Sequence, residues 1–206
     1  MRERLLDVAA HAFQARGYHS TTMHEVMAEA GVTGGAMYHH FPTKKALGLA
    51  VIRERVAAAV DGTWFAPLRT AATAAAAISA VFGDIAQDLD RQGAVSGCPL
   101  NNLALELALA DGDFQAALHD LFESWRRAVC DKLAADQRAG LLDTSDVEGL
   151  ATFVIAAYSG AMTLAKASQS SQPLRTCAAQ VQDALMRLAP APAERGSASR
   201  FEPNDE

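Results

Sequence analysis

Residues 33–42 read TGGAMYHHFP: a threonine, two glycines, then Met37, Tyr38, two adjacent histidines and Phe41 before Pro42. A threonine hydroxyl caps a helix by accepting a free N–H of its first turn. A proline pushes the residue before it out of the α region and so ends a helix. The stretch therefore predicts one very short helix between two punctuation marks. Val32, Met37 and Phe41 share one side and form its packing face, while Tyr38, His39 and His40 fan over the remaining arc. Gly34, Gly35 and Ala36 leave the tip without bulk, so its backbone can approach another surface closely.

Upstream, Leu5, Val8, Ala9, Ala12 and Phe13 recur at helical spacing over 2–16, and Gly17 stops that helix. Ser20, Thr21 and Thr22 offer caps for a second helix over 22–30, with Val26, Met27 and Ala30 as its apolar face. Gly31 then supplies a tight turn of positive φ. Downstream, Thr43 starts a fourth helix through about Phe65, and TWFAPLRT around Pro67 reads as a joint. Further helices are expected over 70–92, 99–110, 113–139, 144–169 and 173–188, with GAVSGCP as a loop ahead of Pro99.

The fold class is all-α, with about nine helices. Alanine abundance and an aromatic share of only 6% agree with that. Residues 1–48 form a first module of three short helices. Residues 49–189 form a larger helical domain, and the polar tail 190–206 is expected to be disordered.

The net charge of -6 is unevenly spread. Residues 1–55 carry seven Lys or Arg against five Asp or Glu and hold five of the six histidines. The remainder carries eleven against nineteen. A basic, His-rich end on an acidic protein suits nucleic-acid binding through that end alone. Three scattered cysteines fit neither a disulfide framework nor a zinc pattern. With no signal peptide and no uncharged apolar run of roughly 18 residues, a cytoplasmic protein without a membrane partner is expected.

Two helices joined by a short glycine turn make a helix-turn-helix, whose second helix enters the DNA major groove. Thr22 and Thr33 stand at helix N-termini, where free N–H groups and the dipole attract phosphate. Lys44 can neutralise another. Tyr38, His39 and His40 can donate to phosphates or bases. A metal site is the competing reading of the histidine pair. Adjacent helical residues diverge by about 100 degrees and no acidic or thiol partner lies nearby, so no metal and no cofactor is expected.

Residues 2–47, with F..RGY..TT and AGVT.GAMYHHFP.K..L, resemble the DNA-binding domain of the tetracycline-repressor (TetR) family of bacterial transcriptional regulators. The resemblance implies an all-α homodimer that binds palindromic double-stranded operator DNA. A larger C-terminal domain would carry an inducer pocket and the dimer interface. By position, Thr22, Thr33, Gly35, Tyr38, His39, His40 and Lys44 match the family's operator-contacting places. Gly34 and Met23 stand where members often carry longer polar residues.

Beyond residue 55 the resemblance thins. The eighth and ninth helices hold small and apolar residues and resemble the family's dimer-forming pair; burial within one subunit is the alternative. Trp64, Phe82, Phe122, Trp125, Tyr158 and Met162 are candidate walls for a small-molecule effector, or plain core. Asn101, Asn102 and Glu106, polar groups on an otherwise apolar helix, could orient that effector. The segment SGCPLNNLALELA, residues 96–108, resembles a motif in a subgroup that includes cysteine-based sensors of reactive electrophiles. Cys98 also precedes Pro99 at a helix start, where N–H groups and the dipole stabilise a thiolate. An inducer-released repressor is the expected function. The alternatives are an enzyme, for which no phosphate loop, based nucleophile or carboxylate pair is present, and a helix-turn-helix used for protein contacts.

Overall fold

Four threonines set where helices begin in the computed structural model, which describes residues 1–190. Thr22 caps α2 in a reciprocal box: its hydroxyl accepts the Glu25 N–H while Glu25 accepts the Thr22 N–H. Thr33 accepts from the Ala36 N–H to start α3, Thr43 from Ala46 to start α4, and Thr73 from Ala76 to start α5. Between α2 and α3, Gly31 takes φ 63 and ψ 40, the left-handed turn that a side chain would resist.

In chain order the helices are α1 (Arg2–Arg16), α2 (Met23–Ala30), α3 (Gly34–His40), α4, α5 (Ala74–Gln92), α6 (Pro99–Leu107), α7 (Gly112–Arg138), α8 (Val147–Ser168) and α9 (Gln172–Arg187). α4 is one rod: Lys44–Ala50, then the wider π turns of Val51–Val56, Ala57–Val60, a second wide stretch at Asp61–Phe65, and Ala66–Thr70. All regular structure among the described residues is helical, as expected. The tail expectation falls on residues 191–206, outside those described.

One expectation fails within α4. Pro67 is no joint: Ala66 before it stays helical at φ -62, ψ -49, and the rod runs on to Thr70. Pro67 sits in the first turn of the segment that follows the wide stretch, where the loosened ladder accommodates a ring that would clash one turn back. The chain breaks instead at Ala71, which is extended.

The core is continuous through both modules. In the first, Leu5, Leu6, Ala9 and Phe13 of α1 meet Val26, Ala30, Met37, Phe41 and Leu47, all buried. The packing face expected for the short third helix is therefore real at Met37 and Phe41 and partial at Val32. In the second, four rings of different helices form an aromatic box. Trp64 lies 4.9 Å from Trp125 and 5.1 Å from Tyr158 between centroids, and Phe82 lies 5.7 Å from Tyr158. α8 is long and apolar enough to cross a bilayer, but its Ala151, Val154, Tyr158 and Ala165 are buried in this bundle.

The two modules meet at Gly48. A Cβ there would stand 2.7 Å from Tyr18 and 3.0 Å from Phe114, whose rings pack edge-on 5.3 Å apart. Gly48→Ala should lower stability by about 1–3 kcal/mol through overpacking. Gly35→Ala, whose Cβ would meet nothing within 4 Å, should leave stability unchanged or higher. Urea unfolding of both variants at one protein concentration checks the contrast.

Candidate DNA-binding face and effector site

α3 is held by Met37 and Phe41 and turns everything else outward. Thr33, Gly34, Gly35, Tyr38 and His39 are exposed, and Tyr38 keeps 52% of its surface in solvent. The His39 and His40 rings pack edge-on against each other at 5.1 Å. Among the described residues no three His, Cys, Asp or Glu side chains come together to hold an ion.

The N-termini of α2 and α3 differ in charge. At α2, the Glu25 carboxylate occupies the first turn, accepting the Thr22 N–H at 2.7 Å and the Thr22 hydroxyl at 2.8 Å. Those bonds hold its pKa below the usual carboxylate value. α2 thus carries its own anion where sequence reasoning placed a phosphate. At α3 no acidic residue occupies the first turn. The α3 start is therefore the open anion-seeking end of the two.

Lys44 is less free than expected. Its ammonium donates to the His19 carbonyl at 3.1 Å and lies 4.4 Å above the Tyr18 ring. Burial pushes its pKa down. One donor is thereby spent on bracing the chain between α1 and α2, and the half-buried head can still serve with its other two.

Sequence reasoning missed the link that ties this module to the sensor domain. The Gln14 amide on α1 donates to the Gly97 carbonyl at 2.6 Å, and Asn102 of α6 donates to the Gln14 and Ser96 oxygens. Lys166 of α8 donates to Asn102 at 3.2 Å, and Glu106 of α6 accepts the His19 N–H at 3.1 Å. Asn102 is thus part of a polar relay from α1 to α6 and α8. Asn101 is also committed, bonded to Ser159 of α8. Partners so distant in sequence leave no local signal; only the polar residues on an apolar helix did.

A cleft of about 400 Å³ opens beside this relay, bounded by His11 and Gln14 of α1, Leu89 of α5, and Cys98, Tyr158 and Met162. Of the expected effector-site residues, Cys98, Tyr158 and Met162 line it. Trp64, Phe82 and Trp125 lie in the box behind Tyr158. Phe122 stacks on Trp125 and faces a separate groove with Ala104 and Leu105.

Cys98 stands at the N-cap position of α6 without a side-chain cap hydrogen bond, and the Leu100 and Asn101 N–H groups work to lower its pKa. Burial nevertheless dominates and pushes the thiol pKa up. Desolvation thus opposes the thiolate stabilisation expected from the helix start.

The C-terminal region, residues 74–180, matches the family model described as the transcriptional regulator LmrA/YxaF-like C-terminal domain, and residues 5–51 match that of bacterial regulatory proteins of the tetR family. The chain belongs to the TetR family of bacterial transcriptional regulators. Among its relatives, the transcriptional regulator AcuR of Cereibacter sphaeroides is 32% identical over 78% of this chain and 74% of its own. The HTH-type transcriptional repressor DhaR of Mycobacterium sp. is 25% identical over 90% and 92%. The reduced form of E. coli NemR superposes with a TM-score of 0.78 at 25% identity, covering 93% of this chain and 98% of that one. This TetR-family protein is a DNA-binding transcriptional regulator and not an enzyme.

The raised Cys98 pKa fixes an expectation. Alkylation of Cys98 by iodoacetamide near pH 7.5 should run well below the rate of an unfolded-chain cysteine and rise as pH climbs past the ordinary thiol range, because only the thiolate reacts. Peptide mass spectrometry after timed quenching reads this directly. Rapid labelling of native protein at neutral pH would contradict it.

Proposed function

We propose that this TetR-family regulator is a repressor that grips a palindromic operator as a homodimer and lets go when a small molecule enters the cleft beside Cys98. The observation that carries the reading is the physical continuity from cleft to DNA face. Gln14 both lines the cleft and bonds the Gly97 carbonyl, and its helix packs directly on α2. A ligand that binds better when Gly97 and α6 are displaced shifts the population toward that arrangement, and α1 moves with them. Two α3 helices whose spacing no longer matches successive major grooves then lose affinity.

On the DNA side, Thr33, Gly34 and Gly35 present the open start of α3 to phosphate, and Tyr38, His39 and His40 meet base edges or backbone. Lys44 adds a cation, and Thr22 serves mainly as the structural cap of α2. In a cytoplasmic setting, a Cys98 kept as a thiol favours a non-covalent effector.

Dimerisation is assigned to α8 and α9. Phe153 and Leu164 on α8 and Met186 on α9 are large apolar side chains 45–58% exposed, and a two-fold pairing would cover them in both copies.

Double substitution of Tyr38 and His39 by Ala should weaken operator binding on the order of 10-fold or more while leaving the melting temperature near the parent's. Parent affinity should fall steeply between 50 and 200 mM salt. A binding curve insensitive to both would remove the proposal. Leu164→Glu should convert the dimer to monomer in sedimentation velocity and abolish operator binding with it. A dimer that survives this change would place the interface elsewhere.

A further inference from the structure

Both tryptophans of the chain, Trp64 and Trp125, are 1% exposed; the Trp125 indole N–H has no acceptor among the described residues, and that of Trp64 faces only the Tyr158 hydroxyl, without a well-formed hydrogen bond. A buried donor without a partner is costly, and two of them side by side are unusual in a domain whose other buried polar groups are bonded. Asn101 has Ser159 and Asp136 accepts from the Ala74 N–H at 2.6 Å. The orphaned pair is confined to the aromatic box. That box adjoins the cleft through one shared side chain: Tyr158 touches Trp64, Trp125 and Phe82 and also lines the cleft with Cys98. Thr63, the neighbour of Trp64, lines it as well.

We infer that the effector is a small, flat, uncharged compound bearing a carbonyl-type acceptor, and that the indole N–H of Trp64, of Trp125, or of both receives that acceptor once the ligand displaces Tyr158. The inference rests on the effector reading above and names the ligand class for it. Flatness follows from four rings that offer faces and edges. Neutrality follows from walls made of Trp, Phe and Tyr: an ionised ligand would be stripped of water there without a counter-charge. An acceptor follows because the box supplies donors in excess; a ligand carrying only further donors would leave both indoles unmatched.

The test compares acetophenone with α-methylstyrene, which keeps the shape and replaces the carbonyl oxygen by CH₂. Intrinsic fluorescence reports on the box alone, since both tryptophans sit in it, and Trp64→Phe and Trp125→Phe each leave one reporter. Acetophenone should bind the full-length protein about tenfold tighter than α-methylstyrene. That advantage should collapse in at least one of the two Phe variants, acetophenone losing more affinity than α-methylstyrene does. Equal affinities, an advantage retained in both variants, or no binding of either probe would overturn the inference. Operator release is measured in parallel by mobility shift. Equal affinities with release would leave the effector reading standing without the indole contact. A carbonyl advantage lost on Trp→Phe, without release, would support the indole contact and remove the regulatory reading.

Discussion

The tightest apolar contact between the two modules depends on one residue having no side chain. Gly48 lets α4 pass so close to Tyr18 and Phe114 that rings from the α1–α2 connection and the start of α7 pack edge-on across it. Phe13 adds a third ring at 5.1 Å from Tyr18. The DNA-reading module is thereby part of one core rather than a bead on a linker. Around that apolar weld sit polar ties: Lys45 to Asp111 and Asp113 at 2.7 Å each, Glu106 to the His19 N–H, and Gln14 to Gly97. The weld resists separation, while the polar ties, being exposed or half-buried, exchange partners more cheaply.

Much of the fold was legible because its signals are local. Threonine caps, the positive-φ glycine at 31 and the period of buried residues each act within a few positions, so helix identities and most boundaries follow from sequence. The failures share a cause as well. Pro67 carries a strong local rule, but the wide turns ahead of it relax the clash that the rule assumes. Cys98 sits at a helix start, as its position in the chain implies, yet its chemistry is set by helices far away in sequence that bury it. Lys44 keeps its expected place, but its contacts with Tyr18 and the His19 carbonyl are equally invisible in the sequence.

The candidate site divides along the same line. The short third helix could be assigned residue by residue because its packing face and outward face alternate within seven residues. The effector region could be named only as a set of aromatics. Which of them line the cleft and which stand behind it depends on α4, α5, α7 and α8 converging, and no spacing within one helix encodes that. The Arg2–Glu54 and Arg55–Asp7 pairs that pin α1 along α4 were likewise invisible, since their partners lie some fifty positions apart.

The unequal helix starts of the reading module have a consequence for how the protein meets DNA at all. Glu25 cancels the positive end of α2, the start of α3 bears no acid, and most of the acidic surplus lies after residue 55. The molecule is therefore an electric dipole with its reading helix near the positive pole. Were α3 the DNA-contacting helix, as proposed, this asymmetry would favour approach to a polyanion with that end forward. At physiological ionic strength this torque acts only within about 8 Å of the duplex. The orienting effect thus belongs to the last step of approach and to sliding along the groove, where a wrongly facing copy would be repelled by its own acidic body.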